Sequence, residues 1–256
     1  MLNRGLFRRT LVRLAAPAAS AKQSGGSMQS GKKHKLAHFP HVSLTTPASH
    51  VVLEDRAGAV FPHRLESLKA AARDLACQSI CAQKIQWDAR VIVCRDSPID
   101  TEFKVFINPD VPGYDVKDAV TPMYGMWETD TALSAATAWV VRPQQVAVHH
   151  VDEYGQSQTT VLEGMTARLF LHEYDFLHGR SMLQMVPSTD FITSSISLNQ
   201  QHLWPDAFPS MEARMTPPNM FFDYVSNQIV LPKGLEWVAE LHKMNMEFAN
   251  NPQVRS

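Results

Sequence analysis

Acidic residues are missing from the start of this chain; the first is Glu54. Eight of the 24 Lys and Arg residues precede it, so the rest of the chain carries 16 basic against 25 acidic residues. An acidic body of this kind argues against direct nucleic-acid binding, which needs clustered positive charge. Cysteine is scarce, with only Cys77, Cys81 and Cys94. An odd count argues against a disulfide framework. Cys77 and Cys81 are four apart, but no second Cys/His pair lies near them, so they read as buried apolar packing rather than a zinc site. No run of about 18 or more uncharged apolar residues occurs, so no membrane span is expected. No internal repeat is present.

What is present begins with "MLNRGLFRRTLVRLAAPAAS", rich in Arg, with Leu2, Leu6, Phe7, Leu11, Val12 and Leu14 interleaved. An amphipathic, cationic, acid-free start has the composition of a mitochondrial transit peptide, so the expected location is the mitochondrial matrix. A plain basic RNA-binding tail would not need the interleaved apolar residues. "SGGSMQSGKKHK" then reads as a flexible linker. Hydrophobic residues make up 45% of the chain, enough for a packed domain.

The spacing of Leu65, Leu68, Ala72 and Leu75 predicts a helix over 62–83. "ARVIVCR", "FKVFINPDVPG", "TAWVVRP", "QQVAVHHVDEYGQ" and "SQTTVLEG" predict short strands, with turns at Pro112–Gly113 and at Gly155. From Met165 to Leu177 the pattern turns helical, with Gly179 as the stop. An irregular tract runs to about 232, and a last helix is predicted over about 234–249. The order implies an α+β domain of short antiparallel strands around a central helix. The expected division is leader and linker over 1–45, the domain over 46–190, and a C-terminal extension over 191–256.

The chemistry centres on "LHEYDFLHGR" at 171–180. Histidines at i and i+4 of a helix can grip one metal ion, and a Glu beside the first can take a proton from metal-bound water. His172 and Glu173 are present, but Phe176 stands where the second His would be. His178 is six residues from His172, roughly 240° around the helix, and points elsewhere. His149 and His150 lie on a predicted strand beside the site; one of them could reach inward as a ligand, but nothing in the spacing requires it.

"GMTARLFLHEYDFLHG" resembles the third motif of the peptide deformylases through Gly164, Ala167, Arg168, His172, Glu173, Asp175, Leu177 and Gly179. "WETDTALS" is similar to their second motif, with Glu128 on the motif Glu, Asp130 on the metal-binding Cys and Thr131 on the following Leu. "ACQSICAQ" falls on the first motif, where only Gln83 survives and Ala76 and Gln78 replace glycines. "FINP" at 106–109 is similar to the family's Asn-Pro strand end. The resemblance is collinear over roughly 50–185.

The resemblance implies a peptide-deformylase-like fold and a site for removing formyl groups from N-terminal Met. Glu173 would be the base. Gln83 and the backbone N–H of Thr131 would polarise the formyl oxygen, and Asp130 and His172 would remain as metal ligands. Three protein ligands are needed for such a catalytic ion, and Phe176 cannot be one. Every motif is eroded. The reading is therefore a catalytically degenerate protein of the matrix with no cofactor, a structural or binding component tied to mitochondrial translation, the mitochondrial ribosome or its assembly proteins. The alternative is an active deformylase holding iron or zinc through Asp130, His172 and a third ligand. A further alternative is a non-catalytic reader of formyl-Met peptides that depends on Gln83.

Overall fold

In the computed structural model two antiparallel sheets close around one buried helix; residues 35–52, 54, 58–97, 100–114, 122–233 and 235 are described. The expected transit peptide, all of the expected linker "SGGSMQSGKKHK" but Lys35, and the predicted last helix apart from Leu235 lie outside them. The described elements are α1 (Val42–Thr45), α2 (Val60–Asp74), β1 (Ser79–Cys81), β2 (Val91–Cys94), β3 (Lys104–Asp110), β4 (Met123–Thr129), β5 (Ala136–Pro143), β6 (Gln145–Val151), β7 (Ser157–Glu163), α3 (Gly164–Leu177), β8 (Ile192–Ser194), α4 (Met211–Met215), β9 (Phe221–Asp223) and β10 (Gln228–Val230). Short 3-10 turns cover Ala82–Ile85 and Thr131–Leu133. The fold is α+β, with strand orders β1-β2-β3-β6-β7 and β10-β9-β4-β5-β8. No described helix is long and apolar enough to cross a membrane.

The strand β2 shows how the layers form. Its four residues are all buried, and successive side chains point to opposite faces. Val91 and Val93 meet Phe61, Leu65, Leu68 and Ala72 of α2, whereas Ile92 and Cys94 join the core around α3. α3 itself is buried all round, with only Leu169 part-exposed among its 14 residues. It therefore carries Arg168, His172, Glu173 and Asp175 into the interior. Buried charges require partners, and the neighbouring strands must supply them.

Several sequence expectations change. The first helix ends at Asp74 rather than running to 83. Ala76 takes a left-handed φ of 53°, and the N–H groups of Cys77 and Ala76 return to the carbonyls of Ala72 and Arg73. This is a Schellman stop with alanine where glycine is usual, so the stop carries no local signal. Residues after it become β1, paired with β2. The stop at Gly179, with φ 70°, is the one the sequence predicts.

β4 is a strand that the alternation pattern does not reveal. Its Gly125 is set by packing, because a Cβ there would lie 2.3 Å from the Trp139 ring. The boundary at residue 45 also moves. Ala37 and Leu44 are core residues, and the N–H groups of Ala37, Phe39 and Ala48 bond to Lys84 O, Ala132 O and Leu177 O. The described part of the C-terminal tract is built into the second sheet. β8 pairs with β5 and β9 with β4, and Leu235 packs with Met126, Met165 and Phe221.

Candidate functional site

The charges of α3 meet their partners where β4, β5 and the turn after β1 converge. Arg142 of β5 donates twice to Glu128 of β4, at 2.7 and 3.0 Å, and once to Asp175 Oδ2 at 2.7 Å. It also donates to the Tyr114 hydroxyl. Arg168 gives its terminal nitrogens to the carbonyls of Tyr124, Met126 and Val140. Its Nε lies 2.8 Å from Glu128 Oε1 as an ion pair without hydrogen-bond alignment. Burial disfavours the Glu128 anion, but Arg142 and Arg168 outweigh it and hold the carboxyl well below its usual range.

Glu128 in turn orients the histidine. His172 Nδ1 lies 2.9 Å from Glu128 Oε2, and Nε2 lies 2.6 Å from Asp130 Oδ2. Both ring nitrogens therefore face carboxylate oxygens. Burial pushes the imidazole pKa down, but the bonds to Asp130 and Glu128 lift it to about 9. The imidazolium, with two N–H donors, satisfies this geometry; a neutral ring would aim a lone pair at an anion. Asp130 caps its turn, its Oδ1 accepting from Ala132 N–H at 2.6 Å.

A residue that the motifs did not single out completes the cluster. Lys84, on the Ala82–Ile85 turn, places Nζ 2.5 Å from Asp130 Oδ2 and 2.7 Å from Glu173 Oε1. The ammonium also lies 4.8 Å from the centroid of the Phe176 ring. Only 4% of Lys84 is exposed. Burial works against its charge, but Asp130 and Glu173 more than offset that and raise its pKa above the ordinary value. Asp130 is correspondingly held low: burial opposes its charge, and Lys84 and His172 overcome the burial. Glu173 is occupied on both oxygens, since Oε2 accepts from Cys81 N–H at 3.0 Å.

Of the residues assigned from sequence, Asp130, His172 and Glu173 converge, each offering an atom within 4.8 Å of the others. Thr131 sits at the exposed rim. Gln83 is placed differently: its amide donates to Thr46 O at 2.7 Å, and it does not line the adjoining cavity. That cavity, about 130 Å³, opens between Gln78–Ile80 and Glu128–Thr131 and reaches Lys84, His172 and Glu173. β1 is an edge of its sheet beside it. Phe176 is fully buried, 5.7 Å from the His172 ring. His149, His150 and His178 do not join the cluster. His149 is exposed, His150 meets Thr160 Oγ1 at 2.9 Å, and His178 Nε2 lies 3.2 Å from Arg90. Lys84 was legible only as the neighbour of Gln83; nothing in its spacing marks it as buried.

The polypeptide deformylase family model matches residues 33–191. Peptide deformylase 2 of Nostoc sp. is 30% identical over 89 residues, 35% of this chain and 47% of that protein, so the match spans about half the length of this curated relative. A peptide deformylase from Legionella pneumophila aligns with a TM-score of 0.53 at 20% identity, covering 60% of this chain and 85% of that one. Peptide deformylase 1B of Arabidopsis thaliana aligns at 0.53 and 18% identity, covering 60% and 82%. An actinonin-bound deformylase from Acinetobacter baumannii aligns at 0.51 and 20% identity, covering 59% and 96%. These structural likenesses establish the fold.

Proposed function

The chain belongs to the polypeptide deformylase family, and we propose that it is a catalytically degenerate member acting as a binding or structural component in mitochondrial translation. The observation that carries this reading is the state of Glu173. A general base must have an oxygen free to take a proton from water. Here Oε1 is bound by the Lys84 ammonium and Oε2 by a backbone N–H. The family depends on a divalent metal, and the donors present do not fit one. Both nitrogens of His172 are turned to carboxylates, the third ligand position holds Phe176, and the gap between Asp130 and Glu173 is filled by Nζ.

The interleaved cationic start, residues 1–20, supports placement in the mitochondrial matrix. The link to the mitochondrial ribosome or its assembly proteins rests on analogy with relatives that act on new chains. A formyl-Met chain end is the ligand class suited to the cavity beside β1, and Gln83, bonded to Thr46, would support the turn rather than touch it. The second reading is an active deformylase, favoured by the convergence of Asp130, His172 and Glu173; it requires Lys84 to withdraw.

Formate release from formyl-Met peptides separates the two. The purified chain, prepared anaerobically with iron, nickel or zinc, is expected to show no turnover above its Glu173→Gln variant. Turnover abolished by that substitution would establish the enzyme.

A further inference from the structure

We infer that Lys84 is a built-in replacement for a divalent ion: its ammonium takes the ion's place between Asp130 and Glu173, and Phe176 is its partner rather than a mere loss. This deepens the proposed reading and rests on it only for the identity of the site.

Distances argue the point. A zinc ion would sit roughly 2.0–2.2 Å from a carboxylate oxygen. Nζ is 2.5 Å from Asp130 Oδ2 and 2.7 Å from Glu173 Oε1, so ion and ammonium compete for one volume. The ammonium is also held in position. Its backbone lies on a 3-10 turn pinned by Ala37 N–H at the Lys84 carbonyl, 2.8 Å away, and its side chain is buried.

The exchange of side chains is chemically coherent. A histidine lone pair at position 176 would favour a metal, whereas an aromatic face favours a cation that needs no lone pair. An ammonium has three donors, and Asp130 and Glu173 accept from it while the Phe176 face lies against it. Its charge is supplied by the chain, so the cluster is complete whatever the metal supply.

The test is metal binding by the full chain, read without activity. After incubation with excess Co(II) or Zn(II) and gel filtration, the wild type is expected to retain less than about a tenth of an equivalent. The Lys84→Ala/Phe176→His double variant is expected to bind about one equivalent of Co(II), with the visible absorption of a tetrahedral site, and to lose it on further His172→Ala substitution. A folded double variant that binds nothing overturns the inference. So does a wild type that retains one equivalent and loses it in His172→Ala. If the double variant does not fold, the wild-type measurement decides alone. Formate release by a metal-free wild type would defeat the proposed function and leave this inference standing; retained metal without turnover would do the reverse.

Discussion

Trp127 and Trp139 are register partners across the β4–β5 hairpin, their rings edge to face at 5.5 Å. The tract after α3 closes over them. Trp204 meets Trp127 at 5.4 Å, and Trp127 Nε1 donates to Ala213 O at 2.8 Å. β8 and β9 cover the two sides of the same hairpin. A chain stopped after residue 190 would expose both indoles and unpaired strand edges, a surface prone to aggregation. It is expected to be recovered in the insoluble fraction, unlike the full chain. Trp204→Ala in the intact chain is expected to cost about 3–5 kcal/mol in urea unfolding.

Ala76 holds a left-handed backbone at φ 53° where the related motif carries glycine. For a residue with a Cβ this conformation costs about 1–2 kcal/mol, partly offset on substitution by the greater chain entropy of glycine. Ala76→Gly is therefore expected to stabilise the protein by up to about 1 kcal/mol. A clear fall in the melting temperature would show that the turn is not strained.

Arg142 is the common partner of Glu128 and Asp175, with all three buried. Removing one member of a buried ion network leaves uncompensated charge, at roughly 3–5 kcal/mol. Arg142→Met is expected to lower the denaturant midpoint accordingly. Exposed Lys104, paired with Asp96, is a control whose loss should change stability by less than about 1 kcal/mol.

The raised pKa of His172 sets an alkaline limit. The group is lifted from 6.5 to about 9, so its contribution is complete below about pH 6.5 and is lost as pH rises through 9. The full loss is about 3 kcal/mol. Asp130 and Glu128 act in the opposite sense: their folded values are depressed, and their contribution fades only as acidification passes below the ordinary carboxylate range. Urea midpoints are expected to be highest near pH 5–6.5 and to fall by pH 9.5. A flat profile between pH 6 and 9.5 would remove the imidazolium from the cluster.

Burial pushes the thiol of Cys77 up to about 11, with Glu173 adding to the effect, and raises Cys81 and Cys94 as well. Reaction with a thiol reagent proceeds through the thiolate. Native labelling at pH 8 is expected to be about a hundredfold slower than in urea, where all three react.

The parts of the fold that were legible are those where local pattern and tertiary role agree. The α3 helix, its Gly179 stop, and the strands β2, β3, β5, β6 and β7 follow from spacing and turn residues. What escaped depends on contacts distant in sequence. Ala76 ends α2 without a glycine. Gly125 sits in β4 because the Trp139 ring needs its space. The strands β8, β9 and β10 are three residues each, too short for alternation to register. At the site, motif order brought Asp130, His172 and Glu173 together. It gave no hint of Lys84, since a lone lysine reads as surface unless its two carboxylates are already placed. Gln83 has the matching identity, but its amide is committed to Thr46, at the start of the domain, a contact distant in sequence that no motif announces.

Residues 37–48 are bonded into the interior. Three backbone bonds, from Ala37, Phe39 and Ala48, tie them to the turn bearing Lys84, the turn after Asp130 and the end of α3. If the proposed leader is removed, a cut ahead of Lys35 leaves these three ties intact. A cut after Phe39 would release two of the ties and strip Ala37 from the core. Residues 37–48 therefore act as a seal on the finished interior, and removal of the proposed leader would have to stop short of them.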